Sequence, residues 1–345
     1  MNAYTRSWVR GLSAIAVTVG IWLAVFTAAL YLQSYWLKAP LGVALGFATG
    51  MLFVVGHDAA HGSLLPGVIA NRICARIALL PALHPLCTWE TGHNRLHHGW
   101  TGLIGKDAGY PPFSPEQYSA LSPARRFEQR VYRSLPGFGL YYLVDVWWRC
   151  QILARPEGFR EFSRQQGVFD YLLVVTFICA QVWMTVAFSS AGTAAANLLV
   201  VVIIPFIVWN YVMAFVTLQH HTHPSVRWAR TREEWDFFHG QVEGTVHVQP
   251  PRWLDVLFGN IFQHTAHHVD KGIPLYHLVV AQTALESRYR ASITYERMSL
   301  SHFRRILGMC QLYDFGTHRW LQFRDCPLPL SAMPSKASKE GGSLP

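Results

Sequence analysis

Four long runs free of charged residues constrain this chain more than any other feature: residues 11–32, 41–56, 171–189 and 194–218. A helix needs about 20 apolar residues to cross the roughly 30 Å of bilayer hydrocarbon. The first and fourth runs meet that length outright, and the second does so once it is extended to residue 61. Composition agrees, because 51% of the 345 residues are hydrophobic and only 14% are charged, which is too apolar for an ordinary soluble domain. The expected architecture is an all-α integral membrane fold. Four transmembrane helices, at about 11–32, 41–61, 169–189 and 194–218, carry a cap of interfacial helices.

Arg6 and Arg10 precede the first run as they would in a secretory signal. The run is longer than a signal's apolar core, however, and no clear small-residue cleavage site follows it, so it is read as a retained helix. The connectors at 33–40 and 190–193 carry one Lys between them, whereas residues 64–167 carry twelve Arg or Lys. By the positive-inside rule both termini and both large polar regions are expected to face the cytoplasm. The formal net charge of +9 then reflects loops lying near anionic headgroups rather than a nucleic-acid partner. Six cysteines without a C-x-x-C pair predict reduced thiols. Arg outnumbers Lys 24 to 5, a bias that hints at a GC-rich bacterial genome and hence a bacterial cytoplasmic membrane.

Residues 11–325 read as one membrane domain, preceded by a cytoplasmic segment 1–10 and followed by a tail, 326–345, of disordered composition. Lys38-Ala39-Pro40 reads as a connector between the first two helices, and Val68 to Leu83 as an amphipathic helix at the interface. Ser114 to Arg133 reads as a solvated connector. The aromatic stretch from Phe138 to Arg149 reads as a headgroup-level anchor rather than a fifth span, because Asp145 and Arg149 sit inside it.

Eight of the 17 histidines fall in three short clusters: His57 with His61, then His93, His97 and His98, then His264, His267 and His268. Neutral imidazole is a ligand for iron, copper and zinc, and eight clustered rings are too many for one tetrahedral ion, so a two-metal site is the economical reading. Spacings of three or four residues put histidines on one helical face, while the adjacent histidine of a pair points about 100° away and can serve a second metal. Asp58 and Asn94 each follow a cluster histidine and are candidates for holding the distal N–H of a ligating ring. His84, His239, His247, His302 and His318 stand outside any spacing pattern and read as surface or packing residues, and His277 is left without a role.

These clusters, in this order and separated by two spans, resemble the histidine boxes of the membrane-bound fatty acid desaturase and hydroxylase superfamily. Leu218-Gln219-His220-His221-Thr222-His223-Pro224, Glu234-Trp235-Asp236, Gly259-Asn260-Ile261 and Ile273-Pro274-Leu275-Tyr276 resemble its acyl-lipid delta-12 desaturase branch, over roughly residues 45–285. The resemblance implies two iron ions held by histidines, with O2 as co-substrate, removing two hydrogens from an unactivated fatty acyl chain. It also implies a ninth histidine ligand just after the fourth span. The family pattern there has one histidine fewer, so either His220 or His221 fills that place and His223 is left as a supporting or loop residue. An apolar tunnel must position a hydrocarbon that offers no polar handle, and Trp89, Trp209 and Tyr211 are candidate walls, with packing or interfacial anchoring as their plainer role.

Rival readings are a hydroxylase, ketolase or acetylenase on the same scaffold, a zinc membrane protease built on His57-Asp58-Ala59-Ala60-His61, and a bis-histidine haem carrier. The protease leaves two clusters idle, and the haem carrier needs histidines at mid-depth in the spans, where there are none. No cytochrome b5 motif, dinucleotide fingerprint or cysteine iron–sulfur pattern is present. The expected electron donor is therefore a separate protein, a ferredoxin, flavodoxin or cytochrome b5 type with its reductase, docking by charge complementarity.

Overall fold

The computed structural model describes residues 4–153 and 164–326. The tail from residue 327 onward, with its expected disorder, and residues 1–3 lie outside the described residues. Four helices are long and apolar enough to cross a membrane: Trp8–Tyr31, Tyr35–Ala60, Arg164–Ala187 and Ala194–His221. Ser7 starts the first by accepting the Arg10 N–H on its hydroxyl at 3.3 Å. The first and third spans turn Val17, Leu23, Leu172 and Trp183 outward, as suits helices whose solvent is lipid.

The second span is the hub, packing on the first and fourth spans and on the interfacial helix Val68–Leu79. Gly42, Gly46 and Gly50 recur every four residues along its contact with the fourth span. A Cβ on Gly42 would stand 2.4 Å from the Val200 carbonyl oxygen, and one on Gly46 would stand 2.5 Å from Val208. Small residues at this spacing let two backbones approach where lipid offers no hydrophobic drive to association. The expected connector at Lys38-Ala39-Pro40 is instead part of this span. The Lys38 ammonium is buried but donates to Asn197 Oδ1 at 2.7 Å and lies over the Tyr35 ring, so its charge finds partners without ending the helix.

Val68–Leu79 is shorter than expected, with a 3-10 turn over Leu80–Ala82. It turns Val68, Ile69, Ile73 and Ile77 outward while Asn71 is buried, hydrogen-bonded to the Gly62, Leu65 and Gly67 carbonyls. Arg76 reaches the third span, where Asp170 accepts its Nε at 2.7 Å and the Cys87 N–H at 3.0 Å. Asp170→Ala leaves both donors without an acceptor in a protein interior. It is expected to destabilise the fold by about 3 kcal/mol, seen as a lowered melting temperature in detergent, and an unchanged melt would remove this pair from the account.

The cap departs from expectation in two places. Ser114 to Arg133 is not a solvated connector: it folds into the helices Pro115–Ala120 and Pro123–Tyr132, which bury Tyr118 and Tyr132. Two small sheets also form, Val246–Gln249 parallel to Thr294–Arg297 and Leu312–Asp314 antiparallel to Arg319–Leu321. Phe138–Tyr141 continues as a π-helix through Ile152. It stays outside the set of spans, with Asp145 paired to Arg149 and Trp147 Nε1 donating to the Leu83 carbonyl at 3.0 Å.

Candidate metal centre

Four pieces of chain bring histidines together. The last turn of the second span presents His57 and its C-cap His61, and the fourth span ends at His220 and His221. The third cluster lies on the short helix His264–Val269, held in place where the Ala266 N–H donates to Gln282 Oε1 at 2.8 Å.

The second cluster lies on a π-helix, Glu90–His97, in which the His98 N–H donates to the His93 carbonyl five residues back at 3.0 Å. A π-turn brings residues five apart onto one face, and such turns recur at functional sites. His93 is therefore paired with His98 rather than with His97. A helical spacing of three or four, applied to this cluster, gives the wrong partition.

The rings assemble into two groups. His57, His61, His93, His98 and His267 form one, and His97, His221, His264 and His268 the other; within each, one nitrogen per ring lies within 4.8 Å of all the others. In the first group His98 Nε2 is 3.1 Å from both His93 Nε2 and His267 Nε2. In the second, His264 Nε2 is 2.9 Å from His221 Nε2. All eight cluster histidines are present, split five and three, and His221 completes the smaller group.

His220 stays outside both groups, stacked on His264 with ring centroids 4.0 Å apart and edge-on to Phe262. His223 is also outside, its Nδ1 2.6 Å from Ser225 Oγ and its Nε2 3.1 Å from Glu296.

The donor set fits metal ions. Burial pushes His61, His93, His98, His264, His267 and His268 well below the usual histidine range, and the neutral ring is the form that coordinates. Both His61 nitrogens and His268 Nε2 are buried with no hydrogen-bond partner. Buried polar atoms are almost always satisfied, so a set of such nitrogens aimed at one another needs a shared cation to account for it. The five imidazoles of the first group exceed the four ligands that a tetrahedral zinc takes.

Two residues that the sequence did not single out orient rings of the second group. Asp107 Oδ1 accepts His97 Nδ1 at 2.7 Å and the Gly109 N–H at 2.8 Å, while Oδ2 accepts the Gly102 N–H at 2.7 Å. Burial pushes the Asp107 carboxyl up, but His97, His221 and the Gly102 N–H together outweigh it, and the pKa lies below the usual carboxylate value. Gln241 Oε1 lies 2.9 Å from His268 Nδ1, and its Nε2 donates to the His98 carbonyl at 2.6 Å.

Asp58 and Asn94 hold no imidazole. Asp58 accepts the Ser63 hydroxyl at 2.7 Å and the Leu275 N–H at 3.2 Å. Asn94 Nδ2 donates to the Ala60 carbonyl at 3.1 Å. Each side chain follows its neighbouring histidine by one residue and so points off the face that the ring occupies, fastening backbone instead.

Trp89 is buried against the first group, stacked on His93 at 4.5 Å and edge-on to His57 and Phe53. Trp209 lies one layer deeper, packed on Phe53, His84 and Tyr142. Tyr211 faces away from both groups, its hydroxyl donating to the Pro136 carbonyl and its ring lying against Gly139. Of the isolated histidines, His84 packs in this aromatic layer and hydrogen-bonds the Ala82 carbonyl. His239 and His247 pair with Asp236 and Glu286.

Residues 34–298 match the family model described as fatty acid desaturase. Among curated relatives, the sn-1 oleoyl-lipid 12-desaturase of Picosynechococcus is 29% identical over 92% of this chain and 87% of its own length. The enzyme of the same name from Arthrospira platensis is 30% identical over 76% of this chain and 71% of its own. The chloroplastic omega-6 fatty acid desaturase of Spinacia oleracea is 26% identical over 90% and 66% respectively. Four membrane-length helices, histidines gathered in two metal-competent groups and a family match over most of the chain lead to one conclusion: this protein belongs to the fatty acid desaturase family and is a membrane oxidoreductase.

Proposed function

We propose that the protein introduces a double bond into a fatty acyl chain in an O2-dependent reaction at the cytoplasmic face of the membrane. Nine histidines would hold two iron ions: His57, His61, His93, His98 and His267 one, and His97, His221, His264 and His268 the other. The observation that carries the reading is the convergence of these rings, from four separate pieces of chain, at the ends of the second and fourth spans. That boundary is where an acyl chain lying in the membrane can meet dioxygen and an aqueous electron donor. The names of the relatives support an oleoyl lipid as the first substrate to test.

Bound iron supplies the activation of dioxygen needed to break unactivated C–H bonds. The chain's own residues do the rest. Asp107 and Gln241 fix the ring orientations of His97 and His268, so that one nitrogen of each faces into its group. Trp89, Phe53 and Trp209 form an aromatic layer beside the first group, an apolar wall that excludes water and aligns methylenes, each contributing about 0.8 kcal/mol of burial. Overall, a –CH2–CH2– unit gives up two hydrogens and becomes –CH=CH–. One O2, with two electrons from a carrier and two protons, leaves as two waters.

Expression in a host lacking polyunsaturated lipids, followed by gas chromatography of the fatty acids, is expected to yield a new diene. His97→Ala in the same host is expected to yield none. A hydroxylated product in place of the diene would hand the site to hydroxylation, and zinc near one per chain in place of iron near two would remove the oxidative reading.

A further inference from the structure

The loop that returns Asp107 to His97 comes into contact with the ring itself. The Gly109 N–H donates to Asp107 Oδ1 at 2.8 Å, and a Cβ on Gly109 would stand 3.1 Å from that oxygen and 3.4 Å from His97 Cε1. A shift of the backbone at Gly109 therefore moves the carboxylate and the packing on the imidazole together.

The carbonyls on either side of Gly109 are both held by the helices that follow. The Tyr141 hydroxyl, on the helix Phe138–Tyr141, donates to the Ala108 carbonyl at 2.9 Å. Arg133, the C-cap of Pro123–Tyr132, donates through Nη2 to the Tyr110 carbonyl at 2.8 Å. The Tyr110 hydroxyl donates in turn to the Phe138 carbonyl at 2.8 Å, and its ring lies 4.1 Å from that of Tyr141. Tyr110 takes a φ of 62°, a left-handed conformation that is uncommon for a bulky side chain and persists only where the surroundings impose it.

Arg133 imposes it at a cost. The residue is only 7% exposed, and its Nη1 is buried with no hydrogen-bond partner. The ionisable groups that act on it are Cys310, Tyr110 and Tyr141, with no carboxylate among them, and burial pulls its pKa below the usual guanidinium value. A buried charge without a counterion destabilises a fold, and methionine would occupy similar space without that penalty. Beyond lying over the Tyr110 and Trp320 rings at 5.5 and 6.0 Å, the guanidinium does one thing that an apolar chain could not, which is to hold the Tyr110 carbonyl.

We propose that Arg133 is a positioning residue for the second histidine group: with Tyr141 it clamps the carbonyls that flank Gly109, and so fixes both the Asp107 carboxylate and the loop backbone against His97. The proposal rests on the two-metal reading above. It extends the control of one ligand to a charge that lies beyond the residues touching it, and it gives the strained loop and the unpaired guanidinium a common cause.

The test uses the iron-loaded protein in nanodiscs and follows the release of iron to a chelator, counted per chain, at a temperature well below the melt. Arg133→Met is expected to release one of its two irons about tenfold faster than wild type, the low end of what loss of a ligand-orienting residue brings, while the other leaves at the wild-type rate. The split is the signature. His97 belongs to the second group alone, so the clamp acts on one iron, whereas a general loosening of the cap hastens both.

Tyr141→Phe removes a single oxygen and is expected to give the same split at about fivefold, as for one net hydrogen bond. It carries the test alone should Arg133→Met fail to fold. Arg130→Met is the control, removing a charge earlier on the same helix, where its Nε donates to the Tyr118 hydroxyl at 2.8 Å, and is expected to leave both irons at the wild-type rate.

Both irons leaving faster in parallel, release unchanged in the clamp variants, or the same split in Arg130→Met overturns the proposal. A wild-type chain that takes up fewer than two irons overturns the two-metal reading first, and this one with it.

Discussion

Alanine at His221 is expected to abolish the diene product and to strip metal from the purified protein. Alanine at His220, its immediate neighbour, should spare the metal. The two residues are equivalent by composition and differ by one position on a helix, so only the direction of the side chain separates them. His221 Nε2 faces His264 Nε2 at 2.9 Å, and the His221 ring lies 4.5 Å from that of His97 and 4.8 Å from that of His268. His220 offers the group a stacked face instead of a nitrogen, at 4.0 Å from His264.

Loss of a residue that merely orients a ligand typically costs 10–100-fold in metal affinity or activity, and loss of a ligand costs more. His221→Ala should therefore fall at least about a hundredfold, with less than the full iron complement by plasma emission analysis. His220→Ala opens a cavity beside His264, a stability cost of about 2–4 kcal/mol, and should keep its iron. If the two variants exchange these behaviours, the partition of the rings is wrong.

The second large effect is expected at Asp107. Its two oxygens take three donors: the His97 ring, the Gly109 N–H and the Gly102 N–H. Asparagine at this place can present only one oxygen, and its NH2 must then face an N–H that needs an acceptor. Asp107→Asn should lower metal affinity by about 10–100-fold, measured as faster loss of iron to a chelator, with His97 freed to rotate. Asp58→Asn makes the useful contrast. Asp58 serves Ser63 and Leu275 rather than a ring, so its loss should lower the melting temperature with little change in the chelator half-life. Equal chelator sensitivity in both would mean that Asp107 acts only as a fold residue.

Much of this was written in the chain. Uncharged runs of membrane length become helices because the hydrocarbon leaves the backbone no other partner, and the spans differ from expectation mainly at their ends. The second begins at Tyr35 because Lys38 finds Asn197, a partner 159 residues away that no local pattern announces. The eight clustered histidines were equally legible as a group.

Their division between the two groups was not, because it depends on a π-turn in Glu90–His97, and a count of residues assumes an α-helix. Asp107 was hidden for a different reason. It follows His97 by ten residues through a loop, and only the fold of that loop brings the carboxylate back to the ring. The helices at Pro115 and Pro123 were there to be read. Ser114-Pro115 and Ser122-Pro123 are each a serine N-cap followed by proline at the first helical position, and a tally of Pro, Arg and Glu passed over them.

The cap closes around unprotonated nitrogens that have only one another to face, and this bears on how the protein is made. Rings at 3.1 and 2.9 Å are held together at a cost that cation binding offsets, because ligand affinity in such sites is also folding free energy. The order of biogenesis follows. The membrane helices can insert first, by their own hydropathy, and with the proposed metal pair the final closure of the aqueous half would wait on metal supply, so a cell short of it would accumulate chains whose cap is open to proteases.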